Sequence, residues 1–139
     1  MKHILLVDDD GAVLQVLAKA LAGYRLTLAR DGDEALAVIG RAAAVDLVIT
    51  DYLMPGMMGD ELIGRLQAIR PDLKAIVITG HGAILDQERQ PWWEAARRLS
   101  KPFGLDDLTT AVAELIGEGI APLGITAPYQ ARSEPPSGR

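Results

Sequence analysis

Short apolar runs alternate along this chain with segments whose apolar residues recur at helical spacing, and the alternation repeats five times. Few folds accept that rhythm. Strands separated by helices form βαβ units, and their right-handed crossovers give a parallel sheet covered by helices on both faces. The central repeat is the clearest. Leu47-Val48-Ile49 has the length and β-branched content of a buried strand, and Asp51 stands where the apolar run stops. Pro55, Gly56 and Gly59 then force a loop. Leu62, Ile63, Leu66 and Ile69 mark a helix face that Pro71 closes. In an open α/β sheet the carboxyl ends of the strands form the ligand-binding edge, and Asp51 falls there.

The other repeats follow the same plan. His3–Val7 is an apolar run ending in Asp8, Asp9 and Asp10, and Val13, Leu14, Leu17 and Leu21 mark the next helix. Asp10 is its expected N-cap and Gly23 its expected end. Tyr24, Leu26 and Leu28 alternate with Arg25 and Thr27, the pattern of a half-exposed edge strand. Asp31-Gly32-Asp33 opens a helix carrying Ala35, Leu36 and Ile39 inward. Ala75–Ile78 is a fourth run, ending in Thr79-Gly80-His81-Gly82. The stretch 83–96 is polar, broken by Pro91, and carries Trp92 and Trp93 side by side. A short strand over Arg97–Ser100 leads to Lys101-Pro102-Phe103-Gly104, and Leu105, Leu108, Val112, Leu115 and Ile116 draw a last helix. From Ile120 the composition turns to Pro, Ser, Gly and Ala without periodicity, which reads as a tail. The domain reading is therefore 1–119 as one α/β domain and 120–139 as a Pro-rich tail too short for a DNA-binding or catalytic effector domain.

Composition narrows the function classes. A net charge of −5 argues against nucleic-acid binding by the general surface. The absence of cysteine removes disulfides, thiolate metal sites and thiol nucleophiles. No apolar run reaches the ~20 residues of a membrane helix, and MKHILLVDDD turns acidic too soon for a signal peptide, so the expected location is the cytoplasm.

In a parallel sheet Asp8, Asp9, Asp51, Thr79 and Lys101 all come to the same edge. Two carboxylates at ~4 Å repel by ~4 kcal/mol at an effective dielectric of ~20. Lys101 balances one charge of three, and a hard divalent cation with oxygen ligands, Mg²⁺ being the expected ion, completes the balance. Read alone, each group has a plainer role: a solvated acidic cap, a strand-end hydroxyl, a surface lysine. Their convergence is what favours a site. His81 has no second His or Cys nearby and reads as a loop residue, Phe103 as core, and Arg41, Arg65 and Arg70 as helix-surface charge.

VDDD, ITDYLMPGMMG, ITGHG and SKPF, in that order, resemble the receiver domain of two-component response regulators, over about residues 2–118. The resemblance implies the flavodoxin-like strand order 2-1-3-4-5 and a single-domain, chemotaxis-type switch rather than an enzyme acting on other molecules. It implies that Asp51 accepts a phosphoryl group from a histidine kinase or phosphotransfer protein. Asp9 and Asp51 would ligate Mg²⁺ directly, Asp8 largely through water, and the Leu53 main-chain carbonyl would complete the set. Thr79 would hydrogen-bond the phosphoryl oxygens, Lys101 would pair with them, and the Lys101-Pro102 bond would be cis. Leu53 and His81 would flank the path of a hydrolytic water, and an apolar Leu53 implies a long-lived phosphoryl group.

Two departures stand out. Arg98 occupies a place that commonly holds an aromatic, and PWWEAARR replaces the usual small-residue run before it. Arg98 is expected to stay outward, near Glu94 or Asp106, leaving a downstream protein partner to be met on the fourth helix–fifth strand face through Trp92 and Trp93. Other readings are a receiver-like interaction module that is never phosphorylated and a receiver cut from a hybrid histidine kinase. A haloacid-dehalogenase-like phosphatase needs a second Asp where Leu53 stands, and a dinucleotide site needs a G-x-G-x-x-G that is missing.

Overall fold

The structure, a computed structural model, describes residues 2–41, 44–80 and 96–117. In chain order these form β1 (His3–Val7), α1 (Gly11–Ala20), β2 (Arg25–Ala29), α2 (Gly32–Arg41), β3 (Leu47–Asp51), α3 (Gly59–Ile69), β4 (Lys74–Thr79), β5 (Ala96–Ser100) and α4 (Leu105–Ile116). All strand pairs are parallel and the sheet order is β2-β1-β3-β4-β5, the order the resemblance implied. The helix expected over 83–96, with Trp92 and Trp93, and the tail lie outside the described residues.

Alternation along each central strand builds two cores. Leu5, Val7, Val48, Ala75 and Val77 face α2 and α3, meeting Ala35, Val38, Ile39, Leu62, Ile63 and Leu66. Their neighbours Ile4, Leu6, Leu47, Ile49, Ile76 and Ile78 face α1 and α4, meeting Leu14, Leu17, Leu21, Leu108 and Val112. Each fully buried side chain of this size contributes about 1.5–3 kcal/mol. A one-residue slip would exchange the two faces of a whole strand, so packing holds the register far more firmly than any single hydrogen bond. The outer strand β2 is only half buried, as its alternating pattern predicted.

The helix ends follow local chemistry. Asp10 caps α1, its Oδ1 accepting the Ala12 N–H at 2.9 Å. Asp31 Oδ1 accepts the Glu34 N–H at 2.8 Å at the start of α2. Helix α1 stops at Ala20, earlier than Gly23 suggested. Leu21 is its C-cap, Tyr24 N–H closes the turn onto the Leu21 carbonyl, and the strand begins at Arg25.

Candidate functional site

Strand register decides which end groups meet. Val7 lies opposite Thr50, Asp51 opposite Ile78, and Thr79 opposite Ser100. Asp8 and Asp9 directly follow β1, Asp51 and Thr79 end β3 and β4, and Lys101 directly follows β5. The five predicted side chains therefore reach one sheet edge. One carboxylate oxygen from each of Asp8, Asp9 and Asp51 lies within 4.8 Å of the other two.

The three acids differ in surroundings. Asp8 is 2% exposed: its Oδ1 accepts the Asp10 N–H at 2.8 Å, and its Oδ2 is buried with no hydrogen-bond partner among the described residues. Burial pushes the Asp8 carboxyl up to about 6; the Asp10 N–H and Lys101 pull it back, while Asp51 and Asp9 push it further. Asp51 is 9% exposed. Burial likewise raises its carboxyl above the ordinary range, with Lys101 opposing and Asp9 reinforcing. Asp9 is exposed. Lys101 Nζ stands 3.8 Å from Asp51 Oδ1, near enough for charge attraction but too far for a hydrogen bond. One ammonium thus faces three carboxyls, and a buried oxygen is left without a donor. An all-oxygen donor set with that orphaned lone pair fits a hard divalent cation.

The loop after Asp51 is shaped to bring α3 against the acid. Gly56 has φ +84°, open to glycine and strained for other residues. At Gly59 a Cβ would fall 2.6 Å from the Asp51 carbonyl oxygen and 2.8 Å from Tyr52 Cα, so only glycine lets the helix start there. The Gly59 N–H donates to the Tyr52 carbonyl at 2.8 Å. Leu53, two residues past Asp51, is 49% exposed. On the other flank Thr79 is buried, and its carbonyl accepts the Lys101 N–H at 2.7 Å. The Lys101-Pro102 peptide is cis, as expected. Phe103 packs half-buried against the α1/α4 core. Arg98 is exposed, as its charge requires, and Arg97 beside it pairs with Glu114.

One edge group escaped the sequence reading. Arg30, the residue after β2, reaches across to the loop after β1 and donates from Nη2 to the Asp9 carbonyl at 3.0 Å. An arginine after an outer strand has the look of ordinary surface charge. Its one sequence signal is its place immediately beyond the strand end, the place held by acids and a lysine on the neighbouring strands. His81 and Glu94 lie outside the described residues.

The family model for the response regulator receiver domain matches residues 4–113. This chain belongs to that family. Receiver domains are the phosphorelay switches of two-component systems. The chain is 36% identical over 116 residues to the transcriptional regulatory protein GlrR of Escherichia coli, covering 82% of this chain and 26% of that protein. To the response regulator receiver protein CpdR of Brucella abortus it is 38% identical over 118 residues, covering 84% of this chain and 98% of that one. It therefore spans about a quarter of GlrR but nearly all of CpdR. Among solved structures, the response regulator protein TrrA of Thermotoga maritima, in complex with Mg²⁺ and beryllofluoride, is 33% identical with a TM-score of 0.74. That match covers 84% of this chain and all of TrrA's. Among the described residues no helix is long and apolar enough to cross a membrane.

Proposed function

We propose that this receiver domain is a cytoplasmic switch that takes a phosphoryl group onto Asp51 from a histidine kinase or phosphotransfer protein, with Mg²⁺, and signals through a protein partner. The observation that carries the reading is the meeting of Asp8, Asp9 and Asp51 within 4.8 Å, with Lys101 beside Asp51 and Asp8 Oδ2 unpaired. Asp9 and Asp51 would hold the ion directly, Asp8 through water, and the Leu53 carbonyl would add a main-chain ligand. Bound there, the ion neutralises the carboxylates and the charge that develops on the transferring phosphoryl oxygens.

The protein's own groups supply the rest. An Asp51 carboxylate oxygen attacks the phosphorus of a phosphohistidine. The phosphorus–nitrogen bond breaks, and the imidazole leaves with the electron pair, which takes up a proton. A carboxylate is a weak nucleophile, so catalysis is chiefly positioning and charge neutralisation. Lys101, already 3.8 Å from Asp51, pairs with the phosphoryl oxygens, and the Thr79 hydroxyl donates to one of them. The product adds about −1.5 to −2 charge at an edge already short of cations, drawing Thr79 and Lys101 inward. Partner contact is assigned to the fourth helix–fifth strand face of the sequence reading, of which β5 lies among the described residues. Arg97, Arg98 and Ser100 are the exposed residues of β5.

Incubation with Mg²⁺ and phosphoramidate, followed by intact mass spectrometry, tests the reading. A single phosphoryl adduct is expected on the wild type, lost with chelator and absent in Asp51→Asn. No adduct, together with NMR spectra unchanged by beryllofluoride and Mg²⁺, would instead favour an interaction module that is never phosphorylated.

A further inference from the structure

We infer that Arg30 is a positioning residue for the cation site: by pinning the main chain at Asp9 it holds the Asp9 carboxylate where the divalent ion binds. The inference deepens the reading above and rests on the carboxylate cluster being a cation site.

Asp9 is the exposed member of the cluster and stands between two residues fixed by other bonds. The Asp8 N–H donates to the Ala29 carbonyl at 3.1 Å, and the Asp10 N–H donates to Asp8 Oδ1 at 2.8 Å. Asp10 in turn caps α1 through the Ala12 N–H. For the Asp9 peptide carbonyl itself, the bond present among the described residues is the one from Arg30 Nη2 at 3.0 Å. The guanidinium reaches it by lying over Gly11. A Cβ at position 11 would meet Arg30 Nη1 at 3.5 Å and Cζ at 3.6 Å, and the absence of a longer side chain leaves that path open. Arg30 is itself anchored, its N–H donating to Glu34 Oε1 at 2.7 Å in the first turn of α2. The arm is thus fixed at its base by α2 and at its tip by Asp9, and it ties the outer strand's loop to the ligand loop. A guanidinium spreads its charge over a planar set of donors and is held at little entropic cost once packed. A bond from a charged donor to a carbonyl is also among the stronger kinds.

The two effects Arg30 could have on the ion carry opposite signs, which makes the inference decidable. Simple charge repulsion by an arginine disfavours a nearby cation, so removing it should tighten Mg²⁺ binding. Arg30 is exposed, and charge effects at such a surface are screened over about 8 Å at physiological salt. Loss of an outer-shell partner that orients a ligand weakens metal binding by roughly 10–100-fold. Positioning should therefore dominate, at the lower end of that range because the arm is exposed.

The test is Mg²⁺ titration of the full chain by amide NMR shifts, in wild type, Arg30→Ala, Arg30→Lys and Gly11→Leu. In Arg30→Ala the dissociation constant should rise about tenfold, with metal-free shift changes concentrated at Asp9–Ala12. Arg30→Lys keeps a charged donor and should recover most of the affinity. Gly11→Leu blocks the path while keeping the charge and should behave like Arg30→Ala. In phosphoramidate labelling, Arg30→Ala should raise the Mg²⁺ concentration needed for half-maximal rate and leave the rate at saturating Mg²⁺ nearly unchanged. Tighter or unchanged Mg²⁺ binding in Arg30→Ala overturns the inference. Failure of the wild type to take up a phosphoryl group would instead sink the switch reading, and the titration would still judge Arg30.

Discussion

The two ends of the sheet treat polar groups in opposite ways. At the amino end His3 is 4% exposed, yet both ring nitrogens are satisfied. Nδ1–H donates to the Ala44 carbonyl at 2.8 Å, which leaves Nε2 to take the Thr27 hydroxyl at 2.7 Å. The His3 N–H donates to Asp46 Oδ2 at 2.9 Å, and the Asp46 N–H returns a bond to the His3 carbonyl at 2.8 Å. At the carboxyl end, among the described residues, three acids share one lysine and a buried oxygen has no donor. Both ends are conspicuous as polar clusters at the rim of an apolar sheet. The amino end is complete within the protein and so is structural. The carboxyl end leaves its acids short of partners among the described residues, which is what the proposed cation site rests on.

Three substitutions break or sharpen that contrast. The largest effect is expected from His3→Ala, which strands the Thr27 hydroxyl and the Ala44 carbonyl and leaves a cavity. It should cost about 2–4 kcal/mol in urea unfolding. Because the ends are far apart, Mg²⁺ affinity should stay within about twofold; a large loss of affinity would mean the ends are coupled after all.

Asp8→Asn should do the reverse in the metal-free protein. The folded Asp8 carboxyl titrates at about 6, above its ordinary value of 3.8, so the folded state holds the extra proton between those values. Metal-free stability should therefore rise as pH falls from above 6 toward 4, and be lost as pH climbs through 6. The gain at neutral pH from Asp8→Asn should be about 1–2 kcal/mol, less than the full shift implies because the new buried amide N–H groups need acceptors of their own. The variant should lose the Asp8 part of the pH dependence, keeping the part that comes from the raised Asp51 carboxyl, and lose much of its Mg²⁺ affinity. A metal-free Asp8→Asn protein less stable than wild type at neutral pH would refute the unsatisfied-acid account.

The smallest effect is expected from Asp10→Ala, which removes a cap but keeps the main-chain N–H that Asp8 uses. About 1 kcal/mol should be lost from thermal unfolding, with Mg²⁺ binding nearly intact. That outcome would separate the third acid of the DDD run from the two that serve the site.

Much of this was legible in the chain. Val48, Ile49, Ile76 and Val77 announce strands because β-branched side chains suit a pleated surface, and acids directly after such runs must come to one edge of a parallel sheet. Asp10 was readable as a cap because the helical period begins right after it. His3 was not, since it looks like the first residue of an apolar run and its ring partners are 24 and 41 residues away. Arg30 was missed for the same reason: its partner lies 21 residues back, on a loop reached only once β1 and β2 are paired. The segment 83–96 is polar, is broken by Pro91 and has no clean period, so its sequence carried no register to read.

Gly59 carries a mechanical consequence. With no side chain between the first turn of α3 and the Asp51 main chain, the aspartate and the helix meet backbone to backbone, like two struts without a washer. A push on Asp51 from that side finds nothing soft to compress. On the opposite flank Asp51 is joined to β4 through the parallel ladder and the Tyr52 N–H to Ile78 carbonyl bond at 2.8 Å, and β4 is joined in turn to β5. Asp51 is thus held on one side by direct backbone contact with α3 and on the other by the hydrogen-bonded ladder of the sheet, so its place is fixed by main chain rather than by side-chain packing.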